Sequence, residues 1–569
     1  METITDHGTG RRADGGEALL CAFERLGIDL MLSSPGSEWS ALWEALARRA
    51  EEGRDAPRLL DVWHETLAVD IAMGHTLQSG QLNAVLLHST VGVLQGSLGL
   101  MTAVQMEVPM VVASGESVSF GEDPGIAVEP QWYGYLSGSP ERIAAPFVKL
   151  SRSVASAATL TGALLRAGEL ARSTPQGPVF LGLPVEHLHA SHDLDAAGGT
   201  VPPPSPVRPG DAAIAAVAAM LAEARNPVLV VESSGRHIGA WDALIRLAEA
   251  QAMPVLMGRS ATYANFPTAH PLYQGGFGDY SALADADLVL LVSPRTPWSP
   301  PHKRPAKAKI VAIGEALHKP AMNYQRLHAD LHLEGDVALT LDALTAAAEK
   351  PADRDARAAR WAKVHRERED RLATERDEAV RSGDLTALSI AAALREIATP
   401  DTIWIDETVT HYGTLRHHLP IGSALSFQRA PGGLGQGMGL AIGAKLARPG
   451  QPVVCLMGDG GFLYNPVVQA LGAARDLDAP VLFVVFDNAG YRAMRGGVTN
   501  FHYPHGALAR TGAGFGNAIA GFEYHGLAGL FGMTGLSVRE LPDLLPALRA
   551  GLASCRDGRS AILHLTLEK

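Results

Sequence analysis

Short apolar runs recur along the chain, and between them apolar residues fall at helical spacing. From about residue 15 to 190 the runs include "NAVLLHS", "VPMVVASG" and "GPVFLGLP". From about 205 to 346 they include "NPVLVVESSG", "MPVLMG", "ADLVLLVS" and "AKIVAIG". From about 385 to 569 they include "TIWIDE", "PVVCLMGDG", "VLFVVFDN" and "AILHLTLE". Such runs, bounded by turn residues, read as strands buried on both faces. Strands alternating with helices predict parallel sheets covered by helices. The pattern therefore predicts an α/β fold of three doubly wound parallel-sheet domains, over residues 15–190, 205–346 and 385–569.

Two stretches break the rhythm. "GGTVPPPSPVRPGD" suits neither strand nor helix interior and reads as a linker. The charged stretch over 350–384, "PADRDARAARWAKVHREREDRLATERDEAVRSGD", reads as a solvated connecting helix with paired charges. Three runs share a proline at their start, "VPMVVASGES", "NPVLVVESSG" and "APVLFVVFDN". That design hints at three related units.

Composition narrows the partners. The 569 residues are 47% apolar and 19% charged, enough to fill several cores. A net charge of −12 without a basic stripe argues against nucleic acid as a partner. Cys21, Cys455 and Cys555 form no C-x-x-C spacing and fit a reducing compartment. The start "METITDHGTGRRADGG" has no apolar signal-peptide core, and the apolar runs are too short to span a bilayer. The expectation is a soluble, cytoplasmic protein with no membrane partner.

The chemistry concentrates in "LMGDGGFLYN" and, about thirty residues on, "FVVFDNAGYRAM". Asp459 and Asn488 end two runs separated by a helical segment, a unit that makes both strands parallel and brings both residues to one sheet edge. A carboxylate from Asp459, the side-chain carbonyl of Asn488 and a backbone carbonyl at Gly490 offer the hard oxygen ligands Mg²⁺ takes beside a phosphate. Gly458, Gly460 and Gly461 let the backbone turn sharply and let a phosphate approach amides at a helix start. A Walker-type loop and an EF-hand are both missing, so a metal-bridged diphosphate fits better than a lysine-held nucleotide.

The pair "GDGGFLYN…FDNAGY" resembles the diphosphate–Mg²⁺ motif of thiamine diphosphate-dependent enzymes. That family usually shows two adjacent asparagines at the second strand end, where this chain has Asp487 before Asn488. The resemblance extends to "VWHETLAVDIAMGHTLQSG", which puts Glu65 where the family's glutamate hydrogen-bonds the coenzyme's aminopyrimidine and activates it. It extends also to "RAPGGLGQGMGLAIGAKLA", where Gly433 and Leu434, with Met438 as the weaker alternative, match the residues that support the coenzyme's bent shape. Thr408, Val409 and Thr410 in "IDETVTHYG" match the loop that contacts the diphosphate, and Tyr491 lies just past the metal motif. The implied architecture comprises a pyrimidine-binding, a middle Rossmann-like and a diphosphate-binding domain. It implies a homodimer at minimum, and a homotetramer as the full assembly, with Glu65 and Asp459 serving one coenzyme from different subunits.

Within the 2-oxo acid decarboxylase and acetolactate synthase superfamily, "SSPGSEWSALWEAL" and "NAVLLHSTVGVLQGSLGL" are similar to benzoylformate decarboxylase. The match implies that Ser37 hydrogen-bonds the substrate and that His88 relays protons. That branch also carries a second catalytic histidine from the middle domain, and "LLVSPRTPWSPPHKRP" has none in register. Trp298, Ser299 and His302 are the candidates there, His411 lies near the coenzyme loop, and Trp39, Ala493 and Met494 are pocket candidates. The expected reaction is non-oxidative decarboxylation of a 2-oxo acid, with acyloin carboligation as a second fate. The alternative is an acetolactate synthase-like carboligase joining two 2-oxo acids, with a structural FAD in the middle domain. A non-catalytic binding member is disfavoured by intact Glu65, Asp459 and Asn488.

Overall fold

The computed structural model describes residues 12–567 except 120–126, 128, 131, 133–139, 195–198, 277–279, 321, 323–324, 326, 432, 513–517 and 520. The chain divides into two compact units. One comprises Met1–Pro204, Met438–Pro449 and Asn465–Ala479; the other comprises Ser205–Gly437, Gly450–Tyr464 and Pro480–Lys569.

Three six-stranded sheets, each wholly parallel, carry the fold. Numbered within each sheet by chain order, the first has its strands in the order 2-1-3-4-6-5: Arg58–Asp61, Leu30–Ser34, Asn83–Leu87, Met110–Glu116, Pro178–Pro184, Ser151–Ser153. The third repeats that order with Phe427–Gln428, Ile403–Glu407, Val453–Gly458, Leu482–Asp487, Ala561–Thr566 and Thr534–Val538. The middle sheet runs 3-2-1-4-5-6: Tyr273–Gly276, Val255–Met257, Pro227–Val231, Leu288–Val292, Lys309–Gly314, Leu331–Glu334. Only two of the three sheets thus share a topology. The proline that seemed to link all three marks a strand start, where a missing N–H is tolerated, and says nothing of strand order.

The central strands are buried on both faces: Asn83–Leu87, Pro227–Val231 and Leu288–Val292 expose no residue. That is why they read as continuous apolar runs rather than alternating ones. Helix Glu65–Ser79 begins where His64 Nδ1 accepts the Thr66 N–H at 3.2 Å and ends on left-handed Gly80. The charged segment forms one helix, Arg354–Ser382, closed by Gly383 at φ +82°. Among the described residues no helix is long and apolar enough to cross a membrane.

Candidate active site

In the first sheet the strand order reverses between Leu30–Ser34 and Asn83–Leu87, the crevice where α/β sheets hold ligands. The chain leaves the first strand through Gly36, Ser37 and Glu38, and leaves the second directly into His88. Across the gap His88 Nδ1 lies 2.8 Å from Glu38 Oε1. Glu38 is fully buried in a slot that only glycines leave open. A Cβ on Gly36 would stand 2.1 Å from His88 Nδ1, and one on Gly115 would stand 1.9 Å from Glu38 Cγ. The hydrogen bond to Glu38 raises the His88 pKa above the ordinary imidazole range despite partial burial, and the charges of Glu38 and Glu65 add to it.

Glu65 opens its helix beside this pair. Gly92 separates the two: a Cβ there would lie 3.1 Å from His88 Cβ and 3.2 Å from Glu65 Cγ. The Ser37 hydroxyl donates to Glu129 at 2.7 Å, and the edge of Trp132 meets the His88 ring at 6.3 Å between centroids. One end of one sheet therefore gathers a hydroxyl, a half-buried carboxylate and an imidazole poised to hold a proton. Glu38 went unnoticed in the sequence, where a lone acid beside a turn reads as a solvated loop charge. Trp39, a pocket candidate from sequence, is instead core: it is fully buried and its Nε1 donates to the Leu87 carbonyl at 3.0 Å.

In the third sheet the same reversal falls between Ile403–Glu407 and Val453–Gly458. A cavity of about 300 Å³ opens there, lined by Glu407, Thr408, Val409, Thr410, His411, Leu434, Gly458, Asp459, Gly460, Gly461, Asn488, Gly490, Tyr491, Ala493 and Met494, with Tyr464 at its edge. Asp459 opens a short helix on the end of its strand. Its Oδ1 accepts the Gly460 N–H and its Oδ2 the Gly490 N–H, both at 2.8 Å. Burial pushes its pKa up to about 6, with the neighbouring Asp487 adding to the rise. Asn488 is buried, and its Oδ1 has no hydrogen-bond partner while Nδ2 lies 3.4 Å from His411 Nε2.

A buried carboxylate whose ionisation is made costlier by burial and a buried carbonyl with no donor are two defects a hard cation removes. The donor set thus fits Mg²⁺. The Gly490 carbonyl already accepts the Arg492 N–H at 2.9 Å and keeps a second lone pair. Around the cavity, Asp406 Oδ1 accepts the Thr408 N–H at 3.0 Å and its hydroxyl at 2.6 Å, shaping the Thr408–Thr410 loop. Glu407 Oε1 accepts the N–H groups of Gly435 at 2.7 Å and Gln436 at 2.9 Å, tying the Leu434 turn to the strand end. Neither acid was anticipated: Asp406 acts two residues on, as an ordinary turn acid does, and Glu407 acts across 28 residues of sequence. Leu434 lines the cavity, whereas Met438 is wholly buried and its N–H donates to Asn465 Oδ1 at 3.1 Å. Gly433 adjoins Leu434 and is half-buried. Burial lowers the His411 pKa, favouring the neutral ring.

The middle-domain candidates stand apart from this cavity. Trp298 is 5% exposed and packs in the middle sheet's core with Val228, Leu256 and Leu283. Ser299 and His302 are exposed, His302 on the short turn Pro301–Lys303.

Comparison with known proteins bears on all three regions. Residues 13–124, 214–344 and 408–564 match the N-terminal TPP-binding, central and C-terminal TPP-binding domains of thiamine pyrophosphate enzymes, respectively. Benzoylformate decarboxylase of Pseudomonas aeruginosa is 29% identical over 520 residues, covering 87% of this chain and 89% of that protein. The acetolactate synthase large subunit of Parasynechococcus marenigrum is 27% identical over 556 residues, covering 95% and 86%. In fold, the chain is similar to the Rhodococcus jostii thiamine diphosphate-dependent 4-hydroxybenzoylformate decarboxylase, with a TM-score of 0.79 at 21% identity over 98% of this chain and 99% of that one.

Proposed function

We propose that this chain, which belongs to the thiamine pyrophosphate enzymes and contains all three of their domains, decarboxylates a 2-oxo acid non-oxidatively with the help of thiamine diphosphate and Mg²⁺. The observation that carries the cofactor assignment is the pairing of protonation-prone Asp459 with the partnerless Asn488 Oδ1 on one cavity wall. Asp459, Asn488 and the Gly490 carbonyl hold the cation, while Thr408, Val409, Thr410, Gly458, Gly460 and Gly461 receive the diphosphate. Gly433, Leu434 and Tyr491 wall the remainder. When bound, the coenzyme supplies the electron sink that lets a carboxylate leave as CO₂.

The chain's own residues supply the proton chemistry. Glu65 binds the coenzyme's ring nitrogen. His88, held by Glu38 through Nδ1, presents its other nitrogen as the proton carrier, and Ser37 orients the substrate carboxylate. His411, Ala493 and Met494, which line the cavity, would contact the substrate. The two sets of residues meet when two copies associate, giving a homodimer or a dimer of such dimers. Apolar side chains left bare beside each set support this: Val91 and Leu94 are 43% and 57% exposed, and Val409, Tyr464 and Met494 are 47%, 61% and 56% exposed.

One observation weighs against a flavin-bearing carboligase. At the middle sheet's own switch point the amides of Ser260, Arg295 and Thr296 all donate to Glu232, a fully buried carboxylate of this chain. A dinucleotide phosphate would need such amides. A panel of pyruvate, phenylpyruvate, benzoylformate and branched-chain 2-oxo acids, assayed for CO₂ with and without an acceptor aldehyde, tests the reading. Aldehyde formation from an aromatic acid is expected; 2-acetolactate as the dominant product from pyruvate, by a yellow protein, would replace this reading with the alternative.

A further inference from the structure

His564 lies within the strand Ala561–Thr566 and is 2% exposed at its side chain. Its Nε2 lies 3.0 Å from Asp487 Oδ2 and donates to it, which leaves Nδ1 bare. That Nδ1 is buried and has no hydrogen-bond partner. It points toward Glu523 Oε2, 3.8 Å away. His525 brings a second Nδ1 to the same carboxylate oxygen, at 3.4 Å, and this atom too is buried without a hydrogen-bond partner. The three ligand atoms lie within 4.8 Å of one another. Two bare imidazole nitrogens converging on one carboxylate oxygen are costly unless something electropositive lies between them.

We propose that Glu523, His525 and His564 form a second metal site, for a borderline transition cation of the Zn²⁺ class. Zinc bonds of roughly 2.0–2.1 Å to nitrogen set ligand atoms about 3.4 Å apart on a tetrahedron, close to the spacing of both histidines from the carboxylate. Nitrogen ligands select this class over Mg²⁺ or Ca²⁺. The supporting contacts are those of a built site. Asp487 fixes the His564 tautomer, the ring of Tyr524 packs edge-on against His564 at 5.0 Å, and Arg539 holds the other Glu523 oxygen at 2.8 Å. Three protein ligands leave a fourth position for water.

The site also accounts for a departure in the sequence. Asp487 stands where the resembled family usually has asparagine, and a full carboxylate is the stronger acceptor for a histidine N–H whose other nitrogen binds a metal. The cation would clamp the turn Tyr524–Phe531 onto the strand that pairs with Leu482–Asp487.

Tag-free protein loaded with thiamine diphosphate and saturating Mg²⁺ is titrated with Co²⁺. Binding of one equivalent per chain is expected, with visible bands of a four- or five-coordinate ion that Zn²⁺ displaces. His525→Ala and Glu523→Gln, both at the solvent-facing side, should each weaken binding by at least ~10-fold while thiamine diphosphate uptake is unchanged. Absence of the bands, or binding by both variants as tight as by the unsubstituted protein, overturns the proposal.

Discussion

The first and third sheets carry their strands in the same order, and that order reverses at the same place, between their first and third strands. What stands at the two openings differs in chemistry. In the first sheet the switch point holds an ion-paired imidazole over a buried glutamate, with a second glutamate beside it. In the third it holds an aspartate whose oxygens take two backbone N–H groups and an asparagine whose oxygen takes none. The first arrangement has the chemistry to hold a proton, the role proposed for it. The second leaves an oxygen free for a cation, the role proposed for that site. One scaffold therefore yields either function, depending on whether strand-end residues satisfy one another or leave a deficit for a ligand.

Breaking each region should break a different quantity. Asp459→Ala removes the only carboxylate among the proposed Mg²⁺ ligands and should weaken thiamine diphosphate retention by more than ~100-fold, beyond the cost of losing a residue that merely supports a ligand. Glu65→Ala should retain the coenzyme and lose ~10²–10⁴-fold in kcat, the usual worth of positioned acid–base chemistry. Calorimetric coenzyme binding and single-turnover rates separate the two. Equal loss of binding in both variants would erase the division of labour.

Much of this was readable from the chain, for a physical reason. A strand–helix–strand unit is local, so Asp459 and Asn488 could be placed together from about thirty residues of sequence. The fully buried strands announced themselves as apolar runs. What stayed hidden depends on strand order. Glu38 meets His88 across 50 residues, and Glu407 reaches Gly435 across 28, because neighbouring strands bring their ends together. Nothing in an isolated acid distinguishes such a partner from a solvated one. The packing of Trp298 with Val228, Leu256 and Leu283 was hidden in the same way, since those partners lie on other elements of the middle domain. The middle sheet's different order also had no local signature.

The proton-handling region makes a finer prediction in pH. The His88 pKa is raised chiefly by its hydrogen bond to Glu38. Its contribution to stability is therefore complete below the value of a free imidazole, about 6.5, and is lost as pH rises through the raised folded value. If protonated His88 is the donor, the alkaline limb of kcat/KM follows the same group. Glu38→Gln keeps the shape and removes the charge, so that limb should move to lower pH while coenzyme affinity stays the same. His88→Ala should abolish the limb and lower kcat by ~10²–10⁴-fold. A limb unmoved in Glu38→Gln would show that His88 is structural.

The smallest effects discriminate most sharply, because they leave every functional group in place. Gly460→Ala puts a methyl 2.4 Å from Tyr491 Cε1, and Gly92→Ala puts one 3.1 Å from His88 Cβ and 3.2 Å from Glu65 Cγ. Neither glycine has a positive φ, so crowding alone is at issue. The tyrosine ring can swing aside at its half-exposed position, narrowing the coenzyme's cavity. His88 is pinned through Nδ1, so the load at Gly92 falls on the Glu65–His88 spacing, which must widen by a few tenths of an ångström. Displacements well under 1 Å cost less than ~100-fold in rate. Gly460→Ala should therefore weaken coenzyme binding several-fold at unchanged kcat, and Gly92→Ala should lower kcat several-fold at unchanged binding, on the order of 1 kcal/mol each. If each variant altered both quantities alike, anchoring and proton transfer would not be separable between the two sheets, and their common topology would carry a common task.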